Sequence, residues 1–197
     1  MRLYASAPSP YARKVRIALL ELGLADRVKV VQTAPQEEPG YRQINPLGKI
    51  PALELDDGSI IVDSLVIIDW LDQAEGAGQL IPLESQARNA ELRRHALANG
   101  IIDAAFSITS ELRRPEEQRS EFWIKRWGET IEAAAAALPG ELNREVTLST
   151  ITAVTAIDYV DFRLSSLGLN VEPLKQWRNS FAERPSFQQT APQLELA

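Results

Sequence analysis

The sequence predicts a small mixed α/β domain followed by an all-α bundle. Three observations carry this. Short apolar runs of strand length, Leu3–Ala5, Val28–Val31, Ala52–Leu55 and Ile60–Val62, are confined to the first third of the chain. Between and after them lie segments with helical apolar spacing. Beyond the Gly76-Ala77-Gly78 break no strand pattern recurs, and long helical stretches fill the rest. The expected division is residues 1–79, a linker over 80–84, and residues 85–197.

Taken in order, Leu3-Tyr4-Ala5 opens the chain as a strand. Ser6 to Pro10 is loop, punctuated by Pro8 and Pro10. Ser9 is a good N-cap, and Pro10 suits a first helical position. Val15, Leu19 and Leu22 then space one apolar face, widened by Ile17 and Leu20, and Gly23 ends the helix. Val28, Val30 and Val31 form a second strand. Gln36 to Ile44 is polar, irregular or briefly helical. Pro46 and Gly48 mark a loop before Ala52–Leu55 and Ile60–Val62, which Asp57-Gly58 joins as a hairpin. Pro51 precedes the first hairpin strand, where its missing N–H does no harm. That position leaves Ile50 with backbone groups an extended peptide could pair with as an added strand. Asp63 caps the next helix, Ser64 to about Glu75, and a helix N-terminus is a natural carboxylate site. Strand, helix, strand, irregular helix, hairpin, helix is the thioredoxin-like order.

After Pro82, Ser85 to about Arg113 reads as one long helix and Pro115 to about Leu138 as a second, broken by Pro139-Gly140. Thr150–Leu167, ended by Gly168, is a third. Glu172–Ala182 is a fourth, and Arg184-Pro185-Ser186-Phe187 begins a last short turn. Trp123 and Trp127, one turn apart, are expected in the core. His95, the only histidine, is read as structural or surface.

Bulk properties exclude several functions. A net charge of −6 argues against nucleic acid as the main partner, because phosphate binding needs a basic footprint. The absence of cysteine removes disulfides, thiolate metal sites and Cys-x-x-Cys redox chemistry. Asp56-Asp57 is turn chemistry, so no metal is expected. With no signal-peptide or membrane-span pattern, a cytoplasmic protein with no membrane partner is expected.

Asn45-Pro46-Leu47-Gly48-Lys49-Ile50-Pro51-Ala52-Leu53, followed by Asp63-Ser64 at a helix start, resembles the glutathione-binding segment of the glutathione S-transferase family. The family's usual pair is Glu-Ser; Asp63 keeps the charge on a shorter arm. Ser9-Pro10-Tyr11-Ala12-Arg13-Lys14-Val15 is similar to the serine-type members, and Asp158 to Arg163 continues in the manner of bacterial ones. Thr147 to Ile151 occupies the place of the family's capping Ser/Thr-x-x-Asp. Thr150 stands where Asp is usual, which predicts a weakened or altered cap.

The resemblance implies glutathione as co-substrate, a small hydrophobic electrophile, and a homodimer. It gives Ser9 the thiolate; Ile50, before a cis Pro51, the cysteinyl backbone; Asp63 the γ-glutamyl ammonium; Ser64 its carboxylate; and Lys49 and Gln36 the glycine end. From the residues themselves, a hydroxyl at a positive helix end favours an anionic thiolate. Tyr4, placed where tyrosine-type members carry their hydroxyl, and Tyr11 compete with Ser9 for the thiolate. Pro10, Asn99, Ile102, Asp103 and Phe106 are candidates for the second-substrate pocket. Two alternatives stay open: a non-catalytic binder or scaffold on the same fold, and a glutathione-dependent peroxidase or isomerase.

Overall fold

The computed structural model describes residues 1–192. The expected end of the second domain, residue 197, lies outside them. Four strands form one sheet in the order β2-β1-β3-β4: β1 Arg2–Ala5, β2 Lys29–Gln32, β3 Ala52–Glu54 and β4 Ile60–Val62. β1 runs parallel to β2 and antiparallel to β3, and β3 runs antiparallel to β4. The helices are α1 Pro10–Glu21, α2 Tyr41–Ile44, α3 Ser64–Leu71, α4 Ser85–Leu112, α5 Glu121–Ala137, α6 Leu148–Leu164, α7 Glu172–Arg178 and α8 Pro185–Gln189. This is a thioredoxin-like domain followed by a helical domain.

Strand alternation divides the sheet's two faces. Leu3, Ala5 and Leu53 pack with Val15, Ile17, Ile67, Ile68 and Leu71 of α1 and α3. Tyr4 and Ala52 point the other way, onto Tyr41 of α2. The first cluster does not stop at the sheet domain: Leu148, Ile151 and Val154 of α6, with Phe181 and Phe187, belong to it. Each of these fully buried aliphatic side chains contributes about 1.5–3 kcal/mol. The two halves therefore share a core. A second cluster joins α4, α5, α6 and α7.

The linker is held by a residue the sequence pattern hides. Asp72, 1% exposed, lies in a π-helical turn just after α3. Its two carboxylate oxygens accept the N–H groups of Leu80 (3.0 Å) and Ile81 (2.8 Å).

Three expectations are corrected. α5 starts at Glu121, capped by the Ser120 hydroxyl, because Pro115 precedes only a 3₁₀ turn. α6 starts two residues earlier than read, and its cap, expected to be weakened or altered, is altered rather than lost. The Thr147 N–H donates to the Thr150 hydroxyl at 2.7 Å, and buried Glu91 of α4 accepts the Ser149 N–H at 2.5 Å. The missing aspartate charge is thus supplied from another helix. Trp123 is 46% exposed, stacked on Trp127 at 5.6 Å rather than sunk in the core. Among the described residues no helix is long and apolar enough to cross a membrane.

Candidate active site

Sheet register assembles the site. Tyr4 pairs with Ala52, which pairs with Val62. One step further along each strand lie the segments leading to Ser9, from Ile50-Pro51 and into Asp63-Ser64. Ala5 also pairs with Gln32, so the turn holding Gln36 leaves β2 at the same end. Residues far apart in sequence thus gather at one edge.

Ser9 is the N-cap of α1, its Oγ accepting the Ala12 N–H at 3.2 Å. Its hydroxyl proton goes to no acceptor among the described residues, so it remains free to donate. The Ile50–Pro51 bond is cis. No hydrogen bond within the described chain uses the Ile50 N–H or C=O, whereas the preceding Lys49 C=O is taken by the Tyr41 hydroxyl (2.9 Å) and the Asn45 amide (2.7 Å). Those two bonds fix the loop's path. Gly48, at φ +62°, completes it: a Cβ there would meet the Arg42 guanidinium at 2.9 Å. The Lys49 side chain is exposed, as is Gln36.

Asp63 sits at φ 71°, ψ 132°, a left-handed conformation costly for a residue with a Cβ and concentrated at functional sites. One carboxylate oxygen caps the Leu65 N–H at 2.7 Å, and Asp63 forms no ion pair among the described residues. Ser64, 3% exposed, is the first residue of α3, so its N–H has no intrahelical acceptor.

The other hydroxyl candidates are engaged. Tyr4 lies on the opposite face of the sheet and donates to Glu54 at 2.6 Å. That bond, burial and the Glu54 charge raise its pKa. Tyr11 donates to Asp103 at 2.5 Å; burial first, then that bond, hold it well above the usual phenol range. Neither hydroxyl has its proton free.

Of the residues read for a second pocket, Asn99, Asp103 and Phe106 come together on α4, facing Tyr11 of α1. Phe106, 44% exposed, meets the Tyr11 ring edge-to-face at 6.0 Å. Asn99 donates to Asp103 at 3.0 Å. Ile102 and Pro10 are corrections: both are buried and offer no surface to a ligand. Ile102 belongs to the helical core because a residue one position from Asp103 is turned about 100° around the helix.

Two neighbours on α1 carry charge inward that the sequence did not single out. Arg13, 2% exposed, pairs with Asp158 of α6 at 2.8 Å. Lys14, 1% exposed, donates to Asn99 at 2.7 Å, with the Tyr11 ring 5.5 Å away. Their signal would have been the helical spacing of Pro10, Tyr11 and Lys14, which puts Lys14 on the candidate pocket's side. His95 lies behind them, its ring bonded to the Thr152 hydroxyl at 2.9 Å, and burial drives its pKa down to about 3.

Comparison with known proteins agrees with this geometry. The family model for the glutathione S-transferase N-terminal domain matches residues 8–74. The uncharacterized GST-like protein YibF of Escherichia coli K12 is 32% identical, with 98% of each chain covered. Maleylacetoacetate isomerase of Pseudomonas aeruginosa is 29% identical over 72% of this chain and 70% of its own. A crystal structure of a glutathione transferase family member from Pseudomonas fluorescens Pf-5, with bound glutathione, superposes with a TM-score of 0.89 at 36% identity, covering 98% of this chain and 99% of that one. With a relative matched over 98% of both chains and the N-terminal domain of the family recognised in residues 8–74, the chain belongs to the glutathione S-transferase family.

Proposed function

We propose that the protein binds glutathione at the end of the sheet reached by Ser9, Ile50 and Asp63-Ser64 and adds its thiolate to a small hydrophobic electrophile. The observation that carries this is the convergence of Ser9, Ile50 and Asp63-Ser64 at one end of the sheet, each with unused hydrogen-bonding capacity. The Ile50 N–H and C=O pair with the cysteinyl backbone. Asp63 takes the γ-glutamyl ammonium, and the Ser64 N–H and hydroxyl take the neighbouring carboxylate. Lys49 and Gln36 reach the glycine end. The Ser9 hydroxyl donates to the thiolate, which attacks the electrophilic carbon as the leaving group departs. No side chain serves as the nucleophile.

In this reading residues 1–79 hold the tripeptide, and the helical unit from residue 85 onward closes the electrophile side with Tyr11, Asn99, Asp103 and Phe106. A cytoplasmic homodimer acting in detoxification fits the family. The likeness to maleylacetoacetate isomerase over most of the chain favours one second reading, in which the thiolate adds to and then leaves a double bond.

The test is steady-state conjugation of an activated aryl halide by wild type and Ser9→Gly. Glycine keeps much of an N-cap's tolerance but has no hydroxyl. A loss of about tenfold or more in kcat/KM supports the thiolate role, and unchanged kcat/KM rejects it. Parallel assays with a peroxide and with a cis-enone separate conjugation from reduction and isomerisation.

A further inference from the structure

Lys14 is unusual in being a lysine almost wholly removed from water without a carboxylate in contact. Its ammonium donates to Asn99, and Asn99 in turn donates to Asp103. Among the described residues, the charged or titratable groups that act on it come from three elements. Tyr11 comes from α1, Asp63 from the start of α3, and Asp103 and His95 from α4. His95 is neutral, so the local balance is two carboxylates against one cation. Glutathione in its thiolate form brings two further carboxylates, a thiolate and one ammonium. Without Lys14, that anion would enter a floor already negative.

Resting on the glutathione reading above, we propose that Lys14 is a positioning residue: its buried ammonium offsets Asp63 and Asp103 and so favours the thiolate of the bound tripeptide. Geometry makes the charge effective, since a cation held out of water acts over a longer range than one screened by solvent. Burial also draws the Lys14 pKa down to about 8, against the raising pull of Asp63 and Asp103. The charge is therefore present near neutral pH and fades in alkali.

The experiment follows the ultraviolet absorbance of the glutathione thiolate against pH, bound to wild type, Lys14→Arg and Lys14→Met. Lys14→Met is expected to return about one unit of the thiol shift, tenfold in acid dissociation, while Lys14→Arg retains it. A second measurement covers a Lys14→Met chain that fails to fold. Calorimetric affinity for S-methylglutathione, which has no ionisable thiol, is compared for wild type and Lys14→Arg from about pH 7 to about pH 9. Wild type should lose about fivefold more affinity than Lys14→Arg across that range, because only its cation titrates there. A thiolate in Lys14→Met equal to wild type, or identical pH dependence of wild type and Lys14→Arg, overturns the role of Lys14 alone. Failure of wild type to bind glutathione overturns the underlying reading as well.

Discussion

Replacing Asp158 with alanine should be the most damaging single change outside the site, and it should reach the site through α1. The carboxylate lies between two guanidinium groups. It accepts from Arg13 at 2.8 Å and from Arg178 at 2.7 and 3.1 Å. Arg178 keeps a side-chain exposure of 25% and can turn to solvent, whereas Arg13 keeps 2%. With Asp158 gone, Arg13 retains the Phe187 carbonyl at 3.2 Å and a long bond to Thr190 at 3.4 Å, and its Nη1 has no partner among the described residues. Breaking a buried pair by removing one member costs about 3–5 kcal/mol. Against a total stability of about 5–15 kcal/mol, that is a large fraction. Urea unfolding followed by tryptophan fluorescence should show a single transition, since one core spans both halves, with a lower midpoint and an unchanged slope. The double variant Arg13→Met/Asp158→Leu should lose less than Asp158→Ala, because no charge is stranded. A loss under about 1 kcal/mol for Asp158→Ala would refute the argument that Arg13 depends on this carboxylate.

Other consequences are smaller or more local. Asp63→Asn keeps an acceptor for the Leu65 N–H, so the fold should be unaffected, but glutathione affinity measured by calorimetry should fall about tenfold or more with loss of the charge-assisted bond. Glu91→Gln should cost about 1–3 kcal/mol in denaturant unfolding, because the anion at the buried α6 start becomes neutral. Stability should also fall in acid on account of His95. Its pKa is about 3 in the folded chain and about 6.5 unfolded, so the unfolded state binds the extra proton in between. The contribution is complete above about pH 6.5 and is lost progressively down to about pH 3; His95→Gln should flatten that part of the unfolding profile.

The sheet domain was legible because local chemistry marks its corners. Ser9-Pro10 starts α1, Asp57-Gly58 turns the hairpin, Pro51 precedes β3 and Asp63 caps α3, each from residues within a few positions. The inward charges were not legible. Arg13 and Lys14 find their partners 145 and 85 residues away, and on a helix of unknown neighbours such residues read as a solvated face. The expectation of a weakened or altered α6 cap held as an alteration whose form was not legible: Thr150 closes the box locally, and the missing charge arrives from Glu91, 58 residues earlier. Ile102 and Asp103 show how fine the distinction is on α4, where one residue is buried in the core and the next is exposed beside Tyr11. Asp63's positive φ was invisible too, since nothing in an aspartate's identity announces it.

The most direct measurement is a titration of unlabelled glutathione into the isotope-labelled protein, read by backbone amide chemical shifts. The account predicts saturable shifts centred on the N–H groups of Ser9, Tyr11, Ile50 and Ser64, with α5 and α7 unmoved. Saturable shifts centred elsewhere, or none at millimolar glutathione, would contradict a tripeptide lying along the edge where β1, β3 and β4 end.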